Sequence, residues 1–180
     1  MAKLRHNLTM TKVSTIVIVV FLSVAVLFSL LFYTLPSLRC HTILPIAESN
    51  NLIASLDADA YKFASTSKDL FGRSAEGGEQ INFVDNGTTK IIEQRFYAET
   101  GKSYIRFYYA NGTVFAITKL NVTYKMPIYE EPIPTIVSKQ KKDFYVDSTG
   151  KTCDWFLDDK PQIIDKGTVD TVQKYLSGIL

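Results

Sequence analysis

Two histidines, two cysteines and two knots of neighbouring acids are the side chains in this chain that could do bond-breaking chemistry. Histidine is the usual base near neutral pH, but the two present, His6 and His41, both precede the region that reads as a folded domain. Cys153 therefore has no histidine partner to make it a nucleophile, and no Cys/His cluster has the spacing of a zinc site. Cys40 and Cys153 are the only cysteines. In an oxidising compartment they could pair as a disulfide; otherwise they stand as two unpaired thiols. The acids are Glu130-Glu131 and the group Asp154, Asp158 and Asp159. Two facing carboxylates can cleave a glycosidic bond, but these lie in or beside predicted turns, where a solvated loop is the plainer reading. Neither a phosphate-cradling glycine loop nor a Gly-x-Ser-x-Gly elbow occurs, and no cofactor is implied.

What remains is chemistry of recognition, and it depends on a register. Aromatic residues repeatedly precede a glycine turn: Phe83-Val84-Asp85-Asn86-Gly87, Phe96 to Gly101, Tyr108-Tyr109-Ala110-Asn111-Gly112, and Phe144 to Gly150. Asn-Gly is a strong hairpin signal, because a type I′ turn needs positive φ at both central residues. A two-residue Asn111-Gly112 loop would pair Tyr109 with Val114 and Phe107 with Ala116. A four-residue Glu99 to Lys102 loop would pair Phe96 with Ile105, and Asn86-Gly87 would pair Ile81 with Ile92. Antiparallel partners share a face, so these turns predict one apolar face of Ile81, Ile92, Phe96, Ile105, Phe107, Tyr109, Val114, Leu120 and Val122.

The opposite face then carries Glu93, Arg95, Tyr97, Tyr104, Arg106, Tyr108, Phe115 and Ile117. Tyr and Arg are enriched at binding hot spots because they join contact area to hydrogen-bond donors. Tyr97, Tyr104, Arg106 and Tyr108 are the candidate binding residues, replaceable without loss of folding if that face is free. The alternative is a solvated or helix-covered face held by cross-strand pairs.

The elements around this ladder are plainer. Residues 13–35 run for 23 positions without a charge, and a helix of that length reaches roughly 35 Å, enough to span a bilayer. Lys3, Arg5 and Lys12 precede the run and only Arg39 follows closely, so the positive-inside bias keeps the N-terminus cytoplasmic and exports the rest. A cleaved signal peptide would have a shorter apolar region and small residues where this chain has Phe32-Tyr33-Thr34-Leu35-Pro36. The expected organisation is a cytoplasmic tail (1–12), a transmembrane anchor (13–35), a juxtamembrane stalk (36–72) with one short helix around Ile46 to Leu56, and an extracytoplasmic domain (73–180).

Within that domain Pro127, Pro132 and Pro134 break the pattern, Asp143–Val146 and Thr152–Leu157 make another hairpin, and Thr168 is a plausible N-cap for a C-terminal helix. The fold class is thus mainly β, an antiparallel meander of hairpins with a C-terminal helix and an N-terminal transmembrane helix. The net charge of +2 comes from the anchor. Without Lys3, Arg5, Lys12 and Arg39, sixteen basic residues face eighteen acidic ones, which gives no electrostatic case for nucleic acid. Four Asn-x-Ser/Thr triplets occur, at Asn7, Asn86, Asn111 and Asn121, and two of these are the hairpin asparagines.

The Gly77-Gly78-Glu79 strand followed by Tyr-Tyr-x-Asn-Gly hairpins is similar to uncharacterised bacterial exported proteins. Its hairpins resemble variant MORN-type repeats of antitoxin-like proteins. The resemblance spans about Gly77 to Tyr124 and Phe144 to Leu157; it implies a fold and a bacterial envelope setting, and no catalytic residue. Two functions stand as expectations: a non-catalytic membrane-anchored domain binding an envelope protein partner of immunity, inhibitor or assembly type, and a carboxylate-dependent envelope hydrolase.

Overall fold

The computed structural model describes residues 40–72, 74–130 and 134–179. Among these, no helix is long and apolar enough to cross a membrane. The expected tail and anchor, residues 1–35, lie outside them.

Eight antiparallel strands follow one another in sequence order: β1 (Ala64–Asp69), β2 (Gly78–Asp85), β3 (Thr88–Ala98), β4 (Gly101–Ala110), β5 (Thr113–Tyr124), β6 (Ile136–Val146), β7 (Thr152–Leu157) and β8 (Lys160–Pro161). The Asn-Gly turns form as expected. Asn86 and Gly87 have φ of 48° and 76°, Asn111 and Gly112 of 50° and 78°. Between β3 and β4, Ala98 pairs with Gly101, so the loop is two residues rather than four. That difference moves the register by two and leaves every side chain on its expected face.

The other departures are shifts of one residue. Phe83 pairs with Ile91 but Val84 with Thr89; Tyr108 pairs with Ala116 but Tyr109 with Val114. Such an extra residue on one strand sends everything beyond it to the other face. Phe107 therefore opposes Ile117 instead of Ala116, and Ile105 opposes Lys119. The expected apolar face needs correction accordingly. Ile92, Ile105 and Phe107 are buried on it with Phe96, Tyr109 and Val114 alongside, and Ile117 joins them. Ile81, paired with Glu93, and Leu120, paired with Tyr104, belong to the opposite face, as does Val122 two residues on.

A helix packs on each face. On the first, α2 (Lys166–Ser177) lays Val172, Tyr175 and Leu176 against Phe107, Ile117, Phe144 and Val146. Its N-cap is Asp165 rather than Thr168: the Asp165 carboxylate accepts from the Thr168 amide at 2.7 Å, meeting one of the unpaired first-turn donors. On the second face, α1 (Ile46–Asp59) packs Ile46, Leu52, Ile53 and Leu56 over Ile91, Tyr108, Phe115, Ala116 and Tyr145. Each large side chain so buried contributes about 1.5–3 kcal/mol.

The expected stalk is thereby corrected. From Cys40 onward it is part of the domain, because α1 buries its apolar stripe there and β1 pairs with β2. After α1, Ala60–Lys62 form a 3₁₀ turn and the first strand begins at Ala64. Cys40 and Cys153 are bonded, with 5.2 Å between their Cα atoms and a sequence separation of 113. Closing a loop of that length in the unfolded chain contributes about 4–5 kcal/mol in the chain-entropy account.

Gly112 has open space where a Cβ would stand, so its requirement is the backbone conformation alone. In the full chain in detergent micelles, Gly112→Val should cost about 1–2 kcal/mol of stability, whereas Thr88→Val, in an exposed strand position, should change little. Equal denaturation midpoints for the two variants would refute the type I′ assignment.

Candidate functional site

The second sheet face carries a line of alternating charges that begins on β2 and ends on α1. Glu93 is only 1% exposed. Its carboxylate accepts from Nε of Arg95 on one side and from Nε of Arg106 on the other. Arg95 also reaches Glu79 at 3.1 Å, and Glu79 accepts from the Tyr97 hydroxyl at 2.6 Å. At the other end Nη1 of Arg106 donates to Asp57 of α1 at 2.8 Å, and the Tyr108 hydroxyl donates to the same carboxylate at 3.1 Å. A buried carboxylate is tolerable only when paired and hydrogen-bonded, and two guanidinium groups meet that need here.

The line also fixes protonation. The Tyr97 hydroxyl, more than Arg95, holds the Glu79 carboxyl below its ordinary value. Burial works against the Arg106 charge, but Glu93, Tyr108 and Asp57 outweigh it and keep the guanidinium protonated. Burial and then Asp57 push the Tyr108 hydroxyl well up, so it stays a neutral donor. Each acid of the line is bonded to a cation or a phenol, so the line holds its side chains in fixed positions.

Beside it α1 stops short, and a groove of about 510 Å³ opens. Tyr104, Leu120, Val122, Tyr124 and Ile136 form an apolar floor, Ile53 and Asp57 of α1 one wall, and Arg106 one end. Lys139 also lines the groove. The floor exists because the one-residue shift between β4 and β5 brings Leu120 and Val122 to the side of Tyr104. A second shift, between Thr123 and Tyr124, brings Ile136 level with Tyr124.

The four candidate binding residues thus have different fates. Tyr104 lines the groove, and Arg106 borders it while bonded to Glu93 and Asp57. Tyr97 is half-buried and tied to Glu79, with the Lys102 ammonium 5.7 Å from its ring centre. Tyr108, 1% exposed, packs beneath α1 and lines the groove only at its buried end. Arg106 is paired with both Glu93 and Asp57, so this part of the face matches the helix-covered, cross-strand-paired alternative.

The acids resolve differently. Asp158 and Asp159 have φ of 48° and 62°, the two positions of a turn joining β7 to β8, and Asp158 accepts from the Lys141 amide at 2.8 Å. Asp154 lies on β7, and burial raises its pKa. Glu130 is an exposed residue in the turn after Pro127, and Glu131 falls outside the described residues. Asp147 sits close to Cys40 and Cys153, but sulfurs joined in a disulfide are not thiolate ligands for a metal.

No protein-family model matches the chain, and no curated protein or solved structure is significantly similar to it. Sequence reasoning missed Ile53 and Asp57, which it assigned to a stalk, and Leu120 and Val122, which it assigned to the wrong face. The helical spacing of Ile46, Ile53 and Leu56 was the available signal for the first pair. Nothing in the sequence marks the shifts that decide the second.

Removing Arg106 would leave Glu93 buried with one cation instead of two. Arg106→Ala should destabilise the full chain by about 3 kcal/mol, and Tyr104→Ala by less than about 1 kcal/mol. Urea unfolding followed through Trp155, the only tryptophan, measures both. Equal small losses would show that the ion line carries no structural weight.

Proposed function

We propose that this chain is a membrane-anchored, non-catalytic protein whose extracytoplasmic β domain binds an envelope protein partner through the groove beside α1. The observation that carries this reading is an apolar floor left uncovered on a face whose other half is sealed by a helix. Aromatic and aliphatic floors with a few fixed polar groups are the common build of binding sites, and Arg106 is held in place by Glu93 and Asp57 for that role. The charge-free run at 13–35 and the basic residues before it support the anchor and the export of the domain. A disulfide between the two cysteines fits an oxidising compartment.

Carboxylate hydrolysis is the reading that the groove supports less. Asp57 is the one carboxylate lining it among the described residues, and Asp57 is committed to Arg106 and Tyr108. An immunity-type, inhibitor-type or assembly role would each use the same surface.

Two measurements test the proposal. Alkaline carbonate should leave the full chain in the membrane fraction while detergent releases it, and protease added from outside should digest the domain. Recovery of a soluble protein beginning near residue 37 to 41 would overturn the anchor. Proteins co-purifying with the tagged full chain from solubilised membranes should include one that is lost with Tyr104→Ala and with Tyr124→Ala, at unchanged unfolding midpoints. Truncating a binding hot spot costs about 2 kcal/mol or more, roughly a thirtyfold loss of affinity. An identical set of proteins from both variants would place binding elsewhere.

A further inference from the structure

Strand β1 is an outer strand of the sheet, pairing with β2 from Ala64 to Asp69. No strand pairs with its other side among the described residues, and all six of its residues are exposed. Natural sheets usually protect such an edge with proline, a bulge, several charges or a covering helix. Here the register with β2 runs without a shift, proline is absent, and the single lysine, Lys68, stands next to Asp69.

One hydrogen bond fixes which backbone groups point outward. The Leu70 amide donates to the Gly78 carbonyl at 2.8 Å, so Leu70 directs its amide inward to β2. By the alternation of an antiparallel ladder, Lys68, Thr66 and Ala64 also direct their amides and carbonyls to β2, and Ser65, Ser67 and Asp69 direct theirs to the open side.

We propose that this edge pairs with β1 of a second copy of the chain, antiparallel about a two-fold axis at Thr66. Outward residues must meet outward residues, which allows an axis on a residue but excludes one between two residues. With the axis at Thr66, Ser65 meets Ser67 of the partner subunit in a hydrogen-bonded pair. Lys68 falls opposite Ala64 of the partner subunit. An axis at Lys68 would instead set two ammonium groups against each other. The Thr66 register also brings Tyr61 and Phe71, 81% and 85% exposed, level with each other's counterparts at the two ends of the interface. The strand, with one lysine and one aspartate, carries no net charge to steer a different partner. Its own copy adds serine, threonine and aromatic pairs to the backbone bonds. This contact is independent of the groove.

Disulfide trapping tests the register in the full chain in detergent micelles, with the Cys40–Cys153 bridge closed. Opposite residues of a non-hydrogen-bonded pair have Cα atoms about 4.5 Å apart, within disulfide reach. Thr66→Cys should therefore give a covalent dimer on mild oxidation. Lys68→Cys, out of step with its symmetry mate, and Thr88→Cys, on β3, should not. Ser67→Pro removes an outward amide without touching the bonds to β2, so adding it to Thr66→Cys should abolish the dimer at an unchanged unfolding midpoint. No dimer from Thr66→Cys, equal dimer from all three cysteine variants, or a dimer that survives Ser67→Pro would each overturn the proposal. If Ser67→Pro lowers the midpoint, the three cysteine variants decide by themselves.

Discussion

Side chains alternate between the two faces of a sheet, so one unmatched residue in a strand reverses the assignment of everything after it. Shifts of this kind occur between β2 and β3, β4 and β5, β5 and β6, and β6 and β7. The shift between β4 and β5 puts Ile117 into the core under α2, and Leu120 and Val122 on the floor of the groove. Without it, two aliphatic side chains would leave the α1 side of the sheet and Lys119 would join it. The core and the groove are two results of one backbone constraint.

The ion line across β2, β3 and β4 then determines where α1 can sit. Desolvating Glu93 is expensive, and its pairing with Arg95 and Arg106 largely returns that cost rather than adding net stability. What the line supplies is geometry. Arg106 reaches both the buried Glu93 and Asp57 on the helix, and Tyr108 donates to Asp57 from the strand below. A helix turned or slid from this position would leave those charges without partners, so the polar line and the apolar contacts of Leu56 with the sheet specify one placement.

Lengths explain why the face is incompletely covered. Fourteen helical residues extend about 21 Å, whereas strands of ten to twelve residues run roughly 35–40 Å. The helix covers Tyr108, Phe115 and Tyr145, and the strands continue beyond it to Tyr104, Val122 and Tyr124. At the sheet margin all six residues of β1 are exposed among the described residues. Exposed backbone and exposed apolar surface therefore fall in two separate places.

Local chemistry was legible from the residues alone. Asn86-Gly87 and Asn111-Gly112 had to be turns because they tolerate positive φ, and the apolar stripe of Val172, Tyr175 and Leu176 had to be helical because of its period. The alternation of Ile105, Phe107 and Tyr109 placed a core on one face. Tertiary structure decided the rest. Phe83, Tyr108 and Thr123 give no local sign that the register shifts beside them, since a bulge is chosen by how two strands and their covering layers fit together. The role of residues 40–72 was equally hidden: α1 has a weak stripe and becomes a wall of the groove only because Asp57 meets Arg106, forty-nine positions later in the chain, across a packed interface.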